Sequence, residues 1–352
     1  MAVVLSEAEW AASPQGSHLA ALPIAQVQPV LPSSSVPRPL SHNPQRPLEG
    51  IKVLCVTHAI AGPCVGRTLA EHGASVLQIM FTHGFEHNFV YTYANLGGAS
   101  SRLNLHKDSD KERLWELIKD ADVWVDSYRE GGLSRFGFDD KGMHAVNDGL
   151  IICHVRCYGS SGPWKNKPGF DMQGSASSGL MTHCGGGIKT PQWPPGMVIN
   201  DYTTGYYGAL AVQACILKRM REGGGFIVAP SLTGTAMSIL KYFKSSKHEE
   251  LKSCDAEQLG PEQMEGMTGM GWLKTLRPLP VLSLTPIKYD PIFLVTMGSS
   301  KPVFPGYDDG YDINKLAPRE KHAAVAEFGM PMLERLARLR KIGSSSSPTS
   351  VL

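Results

Sequence analysis

The sequence predicts an α/β fold, a mainly parallel sheet flanked by helices, and three observations predict it. Short apolar runs alternate with amphipathic stretches of helical length from about residue 47 to residue 244. The runs are continuously apolar, as in strands covered on both faces, and do not alternate as half-exposed strands do. Proline stands near the start and glycine just past the end of the first amphipathic stretch, the asymmetry expected of a helix.

Taken in order, Ile51 to Val56 (IKVLCV) reads as the first buried strand. Gly62-Pro63 opens a helix that runs to His72 and is closed by Gly73, and Ser75 to Met80 (SVLQIM) is the next strand, completing a β-α-β unit. Ser109 and Glu112 have the spacing of a capping box before the amphipathic RLWELIKDA. Val123 to Val125 and Leu150 to Val155 are further strands, Tyr202 to Arg221 a long helix ended by Gly223-Gly224-Gly225, and Phe226 to Ala229 another strand, after which Ser231 caps a helix. Around this α/β domain (47–244), residues 1–46, rich in Pro, Ser and Gln from residue 11, are expected as a disordered leader. Residues 245–318 are expected as a reduced or irregular second domain, and 319–352 as an amphipathic helix (319–341) with a disordered tail.

Composition narrows the function. Across 352 residues, Lys+Arg 34 against Asp+Glu 32 leaves a formal charge of +2, and aromatics are not interleaved with basic runs, so a nucleic-acid partner is not expected. No apolar run approaches spanning length, so no membrane is expected either. Seven cysteines without a regular framework, together with Glu7 and Glu9 where a signal peptide needs apolar residues, point to a reducing, cytoplasmic compartment. Ser350-Val351-Leu352 is only weakly similar to a peroxisomal address, because the middle basic residue is missing. Cys153 and Cys157 have no second pair to complete a zinc site, so no metal is expected. The turn after the first strand lacks the Gly-x-Gly-x-x-Gly spacing of a dinucleotide site, which argues against a dehydrogenase.

The chemistry concentrates in PGFDMQGSASSGLM, Pro168 to Met181. Gly169 frees the backbone, Phe170 and Met172 flank Asp171 with apolar bulk, and Gly174, Ser175, Ala176 and Gly179 leave room for a ligand. A partly desolvated carboxylate is a stronger nucleophile or base than one in water. The fragment alone fits equally simple chemistry, Asp171 capping the helix that follows. Gly185-Gly186-Gly187 reads either as a mobile lid or as a plain turn, and His183-Cys184 lacks the third group a thiol nucleophile needs.

Four ordered blocks resemble the family III CoA-transferases, the group that includes formyl-CoA transferase and α-methylacyl-CoA racemase. They are PLEGIKVLCVTHAIAGPCVGRTLAEHGASVLQI, ADVWVDSYREGGLSRFGF, IICHVRCYGSSGPWKNKPGFD and VINDYTTGYYGALAVQACIL. The resemblance implies a CoA thioester and a carboxylic acid acceptor as substrates, no cofactor besides CoA itself, and an interlocked homodimer. It places Asp171 at the nucleophilic aspartate and His58, Ala61 and Gly62 on the first CoA-contacting loop. Tyr158 and Gly159 fall in the glycine-rich turn, and Asn95 in the family's Asn-x-Gly-Lys-Arg segment. That segment here reads Asn95-Leu96-Gly97-Gly98-Ala99, so Arg102 is the cation left nearby. Asp201 matches a carboxylate that acts as acid/base in the racemases and is structural in transferases. Phe170 stands where the racemases carry a histidine, which favours a transferase; an epimerase and a non-catalytic, family-shaped scaffold are the alternatives. The divergence is similar to that of fungal members acting in specialised metabolism, some of which join two half-units in one longer chain.

Overall fold

The computed structural model describes residues 3–30, 36–40, 44–82, 86–194, 198–245, 262–278, 282–289 and 292–306. Along the chain come α1 (Glu7–Ala12), α2 (Pro14–Ala20), β1 (Ala25–Val30), β2 (Lys52–Val56), α3 (Ala61–Glu71), β3 (Ser75–Phe81), α4 (Asn88–Ala94) and β4 (Ala99–Leu103). Then follow α5 (Asp108–Asp120), β5 (Val123–Asp126), α6 (Asp140–Val146), β6 (Ile151–His154), α7 (Asp171–Ser177), α8 (Leu180–Cys184), α9 (Ile199–Glu222), β7 (Gly225–Pro230), α10 (Leu232–Ser245), β8 (Gln263–Thr268) and β9 (Gly271–Leu276).

Among the described residues the first sheet has seven strands in the order β1-β7-β6-β5-β2-β3-β4. All neighbours pair parallel except β1, which runs antiparallel to β7 with Val27 opposite Val228. Strands β2 to β7 thus follow the doubly wound order, with its topological switch between β2 and β5, where Val53 pairs with Val123. Val53, Cys55, Val123, Val125, Ile151 and Cys153 share one core with Val65 and Leu69 of α3 and Val212 and Ile216 of α9. Their neighbours Leu54, Trp124 and Ile152 point to the opposite face and are as deeply buried. Two covered faces explain why these strands read as unbroken apolar runs.

The leader expectation is corrected by the structure. Within residues 1–46, α1 and α2 form a hook and β1 supplies an edge strand. Trp10 is 1% exposed, so this segment buries a large apolar side chain in the main core. A proline inside β1 is tolerated because an edge strand leaves one side of its backbone unpaired. The region 245–318, expected as a reduced small domain or an irregular stretch, carries the β8–β9 antiparallel hairpin, which packs Met264 and Leu273 onto Tyr91, Leu96 and Leu294. The capping box at Ser109 and Glu112 does not form: α5 starts earlier, with Lys107 as its cap residue and no side-chain cap. The chain divides into units over Met1–Asp309 and Gly310–Leu352. The second unit, and with it the helix expected over 319–341, lies outside the described residues.

Candidate functional site

Where a doubly wound sheet reverses its winding, the loops after the two central strands part and leave a crevice at their carboxyl ends. Here those loops carry Thr57 and His58 after β2, and Ser127, Tyr128 and Arg129 after β5. The crevice is a cleft of about 260 Å³. His58, Ala61, Gly62, Tyr128, Lys165, Lys167, Gly169, Phe170 and Asp201 are among the residues that line it. Gly62 is required by packing: a Cβ there would lie 2.7 Å from Ser127 Cβ and 2.8 Å from Thr57 Cγ2, inside contact distance. Ser127 Oγ joins the two loops, accepting the His58 N–H at 3.0 Å. Ala59, at φ 60°, holds a left-handed conformation unusual for a residue with a Cβ, and its N–H donates to Glu86 Oε2 at 2.8 Å.

Asp171 begins α7, but its carboxylate serves a different helix. Oδ2 accepts the backbone N–H of Asp201 at 3.0 Å, and Oδ1 accepts from Asn200 Nδ2 at 3.2 Å and from Ser175 Oγ at 3.4 Å. Asp201 N–H lies in the first turn of the 24-residue α9, where it is shared between Val198 O at 3.1 Å and the Asp171 carboxylate, so Asp171 caps α9 from across the fold and not the helix that follows it. Burial pushes the Asp171 carboxyl above the usual carboxylate range, against the pull of these hydrogen bonds. Asp201 is pushed up to about 8, by burial and then by the charge on Asp171. Both carboxyl groups of the pair are thus raised, and Asp201, at about 8, keeps its proton at neutral pH. Asp201 lines the cleft; Asp171 is 1% exposed and stands behind the wall formed by Gly169 and Phe170.

His58 is kept below its ordinary value by burial, with Asp126 acting against that, and presents a neutral imidazole edge-on to Tyr128 at 4.8 Å between ring centres. Deeper in, Asp126 Oδ1 accepts from Arg156 Nη1 at 2.6 Å while Oδ2 lies 2.6 Å from His154 Nδ1. Asp126 is desolvated, yet Arg156 and His154 hold it well below the usual range. His154 is driven up to about 9 despite its own burial, chiefly by Asp126, with Asp140 accepting at the other ring nitrogen at 3.0 Å. This network fixes the carboxyl end of β5 beside that of β6.

Of the residues singled out from the sequence, the structure brings His58, Ala61, Gly62 and Asp201 together on the cleft and sets Asp171 directly behind it. It does not bring the others to the wall. Asn95 closes α4 and its side chain bonds Tyr91 O; Arg102 lies exposed on edge strand β4, where its side chain runs beside Gly298. Tyr158 is buried against Trp164, and Gly159 packs toward Leu19. Sequence reasoning missed Tyr128, Lys165 and Lys167, although the block IICHVRCYGSSGPWKNKPGFD contains both lysines; two cations in a Pro- and Gly-flanked loop after a strand were the available signal. It also missed Asn200, whose neighbour Asp201 drew attention. The glycine triplet 185–187 forms a tied turn: Gly187 N–H donates to Thr182 O at 2.9 Å and Thr190 Oγ1 to Gly185 O at 2.6 Å. Among the described residues, no cluster of His, Cys, Asp or Glu could hold a metal, and no helix is long and apolar enough to cross a membrane.

A doubly wound α/β protein with a carboxylate pair at its switch-point cleft is the class that fold and site define. A family model described as CoA-transferase family III matches residues 48–262, and the chain belongs to that family. It is 36% identical over 243 residues to acetyl-coenzyme A transferase nodX of Hypoxylon pulicicidum, covering 65% of this chain and 41% of that one. To human succinyl-CoA:glutarate CoA-transferase it is 28% identical, covering 57% and 48% of the two chains. Among solved structures, the Rv3272 protein of Mycobacterium tuberculosis superposes with a TM-score of 0.52 at 28% identity, over 57% of this chain and 59% of that one. The chain spans about half the length of the curated relatives it matches.

Proposed function

We propose that this chain moves CoA between an acyl-CoA thioester and a carboxylic acid, with Asp171 as the nucleophile. The observation that carries the reading is the Asp171–Asp201 pair: two buried carboxyl groups joined by the Asp201 N–H to Asp171 Oδ2 bond at 3.0 Å at the start of α9, one of them lining the switch-point cleft. Asp171 attacks the acyl carbon, the C–S bond breaks and CoA leaves as thiolate, leaving an aspartyl mixed anhydride. The thiolate then attacks the aspartyl carbonyl, releasing the donor acid and forming an aspartyl-CoA thioester. The acceptor carboxylate attacks the aspartyl carbonyl of that thioester, and the C–S bond breaks to give thiolate and a second mixed anhydride. The thiolate then attacks the acceptor carbonyl, forming the new acyl-CoA and releasing the Asp171 carboxylate. His58, Ala61 and Gly62 line the wall where the pantetheine arm would lie, and Lys165, Lys167 and Arg129 are cleft cations that could meet its phosphates. Because Asp171 is 1% exposed and does not itself line the cleft, attack requires its side chain or the neighbouring Gly169–Phe170 segment to move. Specialised metabolism and a homodimer, in keeping with the fungal character of the sequence, belong to the same proposal, as does coenzyme A as substrate with no further cofactor.

Incubation with an acyl-CoA substrate should trap a covalent Asp171 adduct with hydroxylamine, and Asp171→Asn should remove both adduct and transfer. The loss should be several orders of magnitude in rate. The cap on α9 would weaken by only about 1 kcal/mol, because the amide oxygen can still accept. Undiminished transfer by Asp171→Asn would sink the mechanism. One observation favours a second reading: the carboxyl group lining the cleft is Asp201, neutral and able to donate a proton. An epimerase would exchange the substrate α-proton with deuterated solvent and form no adduct; neither signal would leave the scaffold reading.

A further inference from the structure

The hook over residues 5–20 lies before the family-matched residues 48–262, yet its contacts converge on the loop that walls the cleft. Gln15 is 0% exposed, and its amide is spent on that loop alone. Nε2 donates to Tyr158 O at 2.8 Å and to Ser161 O at 3.0 Å, while Oε1 accepts the Trp164 N–H at 2.8 Å. His18 Nε2 lies 2.9 Å from Ser161 Oγ. Trp10 packs on Trp164 at 5.4 Å between ring centres, and Trp164 in turn carries the Lys167 ammonium over its face at 3.6 Å. At its other end the hook holds the segment that starts with Asp171: Leu5 N–H donates to Ala176 O at 3.0 Å, and Leu5 O accepts from Thr182 Oγ1 at 2.8 Å.

The loop needs such support. Between β6 and α7 the chain runs without regular structure and includes Gly159, Gly162 and Gly169, the first two at positive φ. Glycine-rich backbone has the most conformational freedom to lose, so an unsupported loop of this composition samples many states. A fully buried amide that satisfies two carbonyls and one N–H removes that freedom at both ends of the turn, because each of these groups would otherwise be desolvated and unpaired. The fit is close on the loop side as well: a Cβ on Gly162 would lie 2.5 Å from Gln15 Oε1.

We propose that the hook is a brace that holds the cleft loop, residues 158–167, in one conformation, and that Gln15 is its positioning residue. The brace sets Lys165 and Lys167 on the cleft wall without itself touching the cleft. Only the ligand arm of the test rests on the transferase reading; the loop arm does not. Gln15→Met keeps nearly the same volume and removes the amide. In the full chain, hydrogen exchange read by mass spectrometry should accelerate at least about tenfold in peptides covering 158–170, with β2 and β5 unchanged. Calorimetry with free CoA should show binding weakened about five- to tenfold relative to the unsubstituted chain. His18→Ala, which removes one partly exposed bond, should give a smaller acceleration confined to the residues around Ser161, and stands in if Gln15→Met does not fold. Unchanged exchange over 158–170, or acceleration spread evenly through the sheet, overturns the brace. Loop acceleration in a protein that binds no CoA before substitution upholds the brace and counts against the transferase reading instead.

Discussion

Asp201 shows how far one position departs from its residue type. A carboxyl group in water ionises near pH 4, whereas burial and the neighbouring Asp171 raise this one to about 8. A group whose folded value is raised binds its proton more tightly in the folded state, so its stabilising contribution is full below the unfolded value and is lost as pH rises through the folded one. Thermal unfolding of the unsubstituted chain should therefore weaken between about pH 4 and pH 8. In Asp201→Asn, which cannot ionise, that fall should be shallower, and the variant should melt above the parent at pH 8.5. Parallel melting profiles across that range would show that Asp201 is ionised in the fold. His154, raised from 6.5 to about 9, loses its contribution between those values, partly within the same range, but does so in both proteins and therefore drops out of the comparison. The candidate site was legible at this scale where chemistry is carried by one residue type in a motif, as at Asp171 and His58. Asn200 and the role of Asp171 as a cap for α9 were not legible, because a partner 29 residues away is set by the fold.

Among elements, the crossing of α3 and α9 sets the position of the cleft floor. Gly205 lies against α3 so closely that a Cβ there would be 2.5 Å from Cys64 Cβ and 3.0 Å from Ala61 O. Ala61 is itself a cleft residue, so widening this crossing displaces the wall. Gly205→Ala should cost about 1–3 kcal/mol by overpacking, read as a lower melting temperature. Gly187→Ala, with nothing near its added methyl group and no positive φ, should be close to neutral. Elements β2, α3, β3, β5, β6, α9 and β7 were legible because each combines an apolar run or stripe with a local stop signal. The hook was missed although its signals are plain in retrospect. Ser6 and Glu9 form a real capping box, and Ser13 caps α2 with Pro14 at its first position. Bias in the composition of residues 11–46 outweighed those local cues, and helices of six and seven residues have no stability apart from what they pack against.

For the molecule as a whole, the chain spans about half the length of the curated relatives it matches, and apolar surface remains on its longest helix. Tyr206, Leu210 and Leu217 of α9 are 42%, 63% and 48% exposed and recur at helical spacing on one face. A stripe of that kind is what a second copy would bury in the proposed homodimer. Light scattering at micromolar concentration should give twice the chain mass; a monodisperse monomer would remove the homodimer from the proposal.

The sequence by itself determined a mainly parallel α/β architecture and the family, and singled out Asp171 as the nucleophile candidate, since periodicity, glycine and proline punctuation and an ordered set of motifs are all local in the chain. Only the tertiary structure decided which residues meet. It separated Asn95 and Arg102 from the cleft, brought Lys165 and Lys167 to it, and set Asp171 against the start of α9, where the Asp201 carboxyl is raised to about 8. It also turned residues 5–20 from an expected leader into packed structure. Burial and long-range hydrogen bonding cause all four outcomes, and both depend on which surfaces come together once the sheet has formed.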